Sequence, residues 1–258
     1  MNYRYIILHS NNSGFDSLYG DKFDDKFNYN TWFISNYLSL RVRKLHIPSD
    51  GIFNMFYCSI TKDVDSVKVE SPSALNVRLH VEEKEIEKYL SFSEEAVRYE
   101  YYLSLLERGY RLASSFRDIP INAFLELHRD FRNDGYKNER MFKKMQLRDY
   151  GIKVELHHVL SSYSYNLFLS VYDLCGNLKG RNSIYETYPD DIFFNKTVRH
   201  ILIKDSKLII CDFLNHPQFV CNLDDLRKGI VKSECVDEHT REYIPNEKNA
   251  ADFERLKW

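Results

Sequence analysis

Apolar and polar positions alternate with two different periods along the chain. After Gly151 the period is two: Ile152, Val154 and Leu156 alternate with Lys153, Glu155 and His157, and Tyr165–Asp173 repeats the pattern after a Ser/Tyr-rich turn. Half-buried strands behave this way, so the two runs predict a hairpin. Gly176 to Gly180 predicts the next turn, Ser183–Tyr188 a further strand, and Val198–Ile203 with Leu208–Phe213 a pair of strands around a short turn at Lys204–Lys207.

Upstream the period is helical. Ser91 with Glu94 three residues later has the form of a capping box, and Val97, Tyr101, Leu105 and Leu112 share one face as far as Phe116. Pro120 opens a second helix carrying Ile121, Phe124, Leu125, His128 and Phe131, stopped by Asn133-Asp134-Gly135. A third is expected over Asn138–Tyr150, with Met141, Phe142 and Met145 inward and Gly151 as its left-handed cap. Residues 1–81 read as strands and loops: Tyr3–Leu8, a polar loop from Asn11 to Asn30, then Trp32–Ile47, Ile52–Ile60 and Asn76–Val81. The expected fold is a single α+β domain over 1–258 with antiparallel sheet, two or three central helices and a C-terminal β-meander. Its subdivisions are an N-terminal β part (1–81), a helical part (82–150) and the meander (151–258).

Composition narrows the function classes. With 43% hydrophobic residues, 17 Phe and 19 Tyr, the chain has ample material for a core. A formal net charge of −2 supplies no positive field to concentrate nucleic acid, so direct nucleic-acid binding is not expected. Five cysteines without a C-x-x-C pair fit a reducing cytoplasm rather than a disulfide framework or zinc site. The apolar run Tyr5-Ile6-Ile7-Leu8 is too short for a signal-peptide core, and no stretch has the length of a membrane span.

No catalytic set is assigned, and neither a metal nor another cofactor is expected. The sequence contains no G-x-S-x-G, H-E-x-x-H, P-loop or G-x-G-x-x-G. Asp190, Asp205 and Lys207 fit the letters of a P-D…(D/E)-x-K nuclease, in which two carboxylates hold Mg²⁺ beside a lysine. Here Asp205-Ser206-Lys207 falls between two apolar runs, where a solvated turn belongs. His128-Arg129-Asp130 lacks the rest of a kinase loop, and the adjacent His157 and His158 point to opposite faces of a strand, so they cannot share a metal. Cys211 and Cys221 lie in apolar strands, as inert buried thiols do.

Acidic clusters remain: Asp21, Asp24 and Asp25; Glu82, Glu83, Glu85 and Glu87; Glu94 and Glu95; Asp190 and Asp191; Asp224 and Asp225. Most serve as solvated faces or helix N-terminal charges, but an inhibitor of a basic protein needs such a surface with aromatic anchors. Tyr19 beside Asp21, Asp24 and Asp25, and Tyr188 beside Asp190 and Asp191, have that form.

The segments Gly135–Met145, Asp149–Ile152, Tyr185–Asn195 and Cys211–Phe219 resemble bacterial immunity proteins of contact-dependent growth inhibition and other polymorphic toxin systems. The resemblance covers about the C-terminal half and carries no binding residue across. It implies a small cytoplasmic protein that binds one cognate toxin C-terminal domain, often a nuclease, and blocks its active site or substrate approach. A metal-dependent nuclease using Asp190, Asp205 and Lys207, and a phage-defence or regulatory scaffold, are the alternatives.

Overall fold

The computed structural model describes residues 1–20, 23–70, 73–189, 198–242 and 244–245. The described residues form an α+β protein in two compact units, one running through Lys137 and the other starting at Asn138.

In the first unit, β1 (Tyr5–Ser10), β2 (Met55–Thr61), β3 (Ser66–Glu70) and β4 (Ala74–His80) form a sheet of order β1-β2-β4-β3. β1, β2 and β4 are mutually parallel neighbours, and β3 runs antiparallel to β4. The helices are α1 (Asp16–Tyr19), α2 (Phe23–Leu45), α3 (Glu83–Leu90), α4 (Glu95–Ser114) and α5 (Ile121–Asn133). Ile6, Leu8, Phe56, Cys58, Ile60, Leu75, Val77 and Leu79 bury one sheet face. The core beside them is aromatic: Tyr110 meets Phe56 at 4.9 Å and Phe124 at 4.8 Å between ring centroids, and Phe33 meets Tyr99 at 4.8 Å. Such rings dominate core energetics by the area each buries. Gly109 lets α4 approach β2, since a Cβ there would lie 2.7 Å from Cys58 Sγ.

The long helix α2 occupies most of the Trp32–Ile47 stretch read above as extended. Its buried positions do follow helical spacing, through Phe27, Thr31, Ile34, Ser35, Leu38, Ser39 and Val42, but three of these seven carry hydroxyls. Hydropathy therefore breaks the pattern that geometry keeps. The hydroxyls are buried because α2 lies along the open edge of β1. Ser39 Oγ accepts from Ile6 N–H at 3.0 Å and donates to its carbonyl at 3.1 Å. Ser35 Oγ accepts from Leu8 N–H at 3.0 Å, and Thr31 Oγ1 donates to the Leu8 carbonyl at 2.9 Å. Asn28 completes the series with both backbone groups of Ser10, at 2.6 and 2.8 Å. A helix thus supplies the bonds that a further strand would make, and the edge is closed to pairing.

The second unit begins with β5 (Asn138–Leu147) where a third helix was expected. Its inward positions are Asn138, Arg140 and Phe142, then Met145 and Leu147, and the pairing with β6 shifts register between Met141 and Lys143. That bulge adds one residue and turns a period of two into apparent helical spacing. Gly151 does adopt the left-handed conformation (φ 66°), but it ends a single 3₁₀ turn over Arg148–Tyr150. Ser91 likewise closes α3, and Glu94 begins α4 without a side-chain cap.

The meander is as the alternation predicts. β5, β6 (Ile152–Leu160), β7 (Tyr165–Asp173) and β8 (Leu178–Thr187) form one antiparallel sheet in sequence order. β9 (His200–Lys204), β10 (Lys207–Cys211), β11 (Pro217–Asn222) and β12 (Glu234–Cys235) form another, with short helices α6 (Leu223–Arg227) and α7 (Glu238–Glu242). Tyr185 of β8 and Phe219 of β11 meet at 5.0 Å. Gly180, expected in a turn, lies within β8 against the backbone of Gly229.

Candidate functional site

Carboxyl ends of neighbouring parallel strands gather the loops that follow them, and in open sheets this is where ligands and partners are met. In the first unit those ends are Ser10, Thr61 and His80. Asp24, in the first turn of α2, acts as the acceptor that folds the loop after β1. Ser10 Oγ and Ser13 Oγ both donate to it, the latter at 2.5 Å, and Ser13 N–H donates at 3.2 Å. Its carboxylate is committed to holding this loop. Asp25, one residue on, is exposed.

The loop so held presents Tyr19. Its ring packs on Phe15 and Phe23 at 6.3 and 5.8 Å, and its hydroxyl donates to the Glu83 carbonyl at 3.2 Å. Burial first, then the carboxylates of Glu87 and Glu83, hold the Tyr19 hydroxyl above its usual pKa. Folding therefore brings the acidic start of α3, 64 residues further along the chain, to this aromatic side chain. Glu83 and Glu87 form an exposed i, i+4 stripe of α3, with Lys84 and Lys88 rotated by about 100° from it. Leu18 adds exposed apolar surface.

Next to this surface the charges are balanced. Arg78 bonds Thr61 Oγ1 at 3.0 Å and Asp63 at 3.3 Å, and Arg108 reaches Glu85 at 2.6 Å and the His80 carbonyl at 2.9 Å. His80 contacts Glu82 at 3.1 Å and the Asp63 carbonyl at 2.9 Å, and these bonds, that to Glu82 first, raise its pKa. A raised folded-state value means that His80 contributes its full stabilisation below the ordinary value of about 6.5 and loses it as pH rises through the folded value. Glu82→Gln is expected to lower the His80 titration midpoint followed by NMR; an unmoved midpoint would remove Glu82 as the main cause.

The other sequence candidates separate. Tyr188 is half-buried just past β8 in the second unit, while Asp21, Asp190 and Asp191 lie outside the described residues. Asp205 and Ser206 form the two-residue turn between β9 and β10, with φ of 49° and 56°, and Lys207 opens β10. His128 is buried against Tyr110, 3.3 Å from its hydroxyl, and burial lowers its pKa to about 4. His157 and His158 take opposite faces, His157 between Glu139 and Glu155 and His158 against Tyr165. Burial raises the Cys221 thiol to about 12 and also raises Cys211. Among the described residues no group of three or more His, Cys, Asp or Glu is arranged to hold a metal ion, and no helix is long and apolar enough to cross a membrane.

The convergence of Glu83 and Glu87 on Tyr19 was not visible in the sequence, which carries the acidic residues but not the parallel order that makes their loops neighbours. Set against known proteins, the chain matches no family model, no curated protein and no solved structure.

Proposed function

We propose that this protein is an immunity protein, a stoichiometric inhibitor whose Tyr19 surface receives a cationic face of one cognate toxin domain. The observation that carries the proposal is the bond from Tyr19 to the backbone of Glu83, which fixes an aromatic anchor beside the exposed Glu83–Glu87 stripe. Aromatic side chains dominate interface energetics, and a single-sign rim steers a partner of opposite charge. A nuclease domain suits such a surface, because it must be cationic where it meets phosphate.

The test is protection of growth. Cells expressing the toxin encoded beside this gene are expected to grow when the protein is co-expressed and to stop when it carries Glu83→Lys with Glu87→Lys, both on an exposed helix face. Full protection by that charge-reversed protein would place the interface elsewhere. Mg²⁺-dependent cleavage of DNA or RNA by the purified protein, abolished by Asp205→Ala, would replace inhibition with the nuclease alternative.

A further inference from the structure

The described sheet edges are closed in different ways, and β9 stands apart. β1 is covered by the hydroxyls of α2. β3 carries charges of both signs, Lys68 and Glu70, and β5 is bent by its bulge and charged at Glu139, Lys143 and Lys144. β8 is tied to the end of α6 and the segment after it by Lys179 to the Arg227 carbonyl, by Asn182 to the Val231 carbonyl at 3.2 Å and by Ser233 to the Ile184 carbonyl at 3.0 Å. β12 has only two residues. These are the devices by which proteins avoid accidental strand pairing.

β9 is the outermost strand of its sheet, and its centre is Ile201-Leu202-Ile203. Leu202 is 47% and Ile203 40% exposed, on opposite faces of the strand, and Ile201 is half-buried. The two-residue turn makes Lys204 and Lys207 the hydrogen-bonded pair nearest the turn, so the alternation of an antiparallel ladder turns the N–H and C=O of Ile203 and Ile201 outward. Among the described residues nothing bonds that outer side. Exposed Arg199, His200, Lys204 and Lys207 surround it, with Asp205 the single acid at the turn, and none of the four bases has an ion pair among the described residues.

We infer that the open edge of β9 receives an extended segment of a partner protein in which apolar and acidic residues alternate. The segment adds a strand through the backbone groups of Ile201 and Ile203, while its carboxylates face the surrounding bases. The inference does not depend on the Tyr19 surface, which lies in the other unit.

The probe is a fluorescent, end-blocked peptide of about ten alternating Val and Glu residues, titrated into the full chain by polarisation at low and high salt. Saturable binding that weakens with salt is expected. The same peptide N-methylated on two consecutive central amides, which removes a donor from each of its edges, is expected to bind at least about tenfold more weakly. Ile203→Pro is expected to match that loss, because the N–H it deletes is outside the ladder to β10. Since Ile203→Pro bears on folding as well, the methylated peptide on the unaltered chain decides. Equal binding of the methylated peptide, equal binding of a Val/Lys counterpart, no saturable binding, or a dimer in sedimentation that Ile203→Pro dissociates would each overturn the inference; the last would assign the edge to a second copy.

Discussion

Ser35→Ala combined with Ser39→Ala is expected to lower the unfolding free energy by about 2–6 kcal/mol, out of the roughly 5–15 that a domain possesses. Both hydroxyls are fully or almost fully buried, and they accept from the N–H groups of Leu8 and Ile6 at 3.0 Å. Alanine leaves each of those donors buried and unsatisfied, at about 1–3 kcal/mol apiece, while raising the intrinsic helix propensity of α2 by a few tenths. Propensity and tertiary role therefore predict opposite signs, and the tertiary term is larger. Urea unfolding gives the total, and amide exchange at Ile6 and Leu8 locates it. A variant as stable as the parent would mean that the β1 edge finds other partners.

The second large effect is at Gly180. A Cβ there would stand 3.0 Å from the carbonyl carbon of Gly229 and closer still to its oxygen. Both sides of this contact are backbone, so no rotamer can relieve it, and β8 must separate from the segment that Asn182 and Ser233 hold. Gly180→Ala is expected to cost about 3 kcal/mol, at the upper end of ordinary overpacking. Gly176 is the control. It has φ of 95° but nothing within 4 Å of a built Cβ, so Gly176→Ala measures conformational strain alone, about 1–2 kcal/mol. Equal losses at the two positions would show that close packing adds nothing at Gly180.

These two positions also mark where sequence patterns stop being informative. β6 and β7 are legible because each presents one face to a core and keeps the period of two without interruption. The turn at Asp205-Ser206 and the helix opened by Pro120 follow from local backbone chemistry. In α2 the buried stripe contains Thr31, Ser35 and Ser39 because their partner is a strand edge rather than a hydrocarbon layer, and hydropathy cannot record that. In β5 a single extra residue at the bulge shifts the phase, so Phe142 and Met145 fall at helical spacing in an extended segment. Both errors arise from long-range pairing that local sequence does not encode.

The candidate surface divides in the same way. Asp25 is exposed in the first turn of α2 and Tyr19 is half-buried in the segment after β1, whereas the Asp24 carboxylate is occupied by Ser10 and Ser13. Glu83 and Glu87 join Tyr19 only because β1, β2 and β4 run parallel and place the loop after β1 and the start of α3 at the same end of the sheet.

Calorimetry with the purified product of the gene immediately upstream, at two salt concentrations, tests the proposed inhibition most directly. One-to-one binding that weakens as salt rises and is lost on Glu83→Lys with Glu87→Lys is expected; no binding, or tight binding indifferent to both salt and charge reversal, would contradict inhibition through the Tyr19 surface.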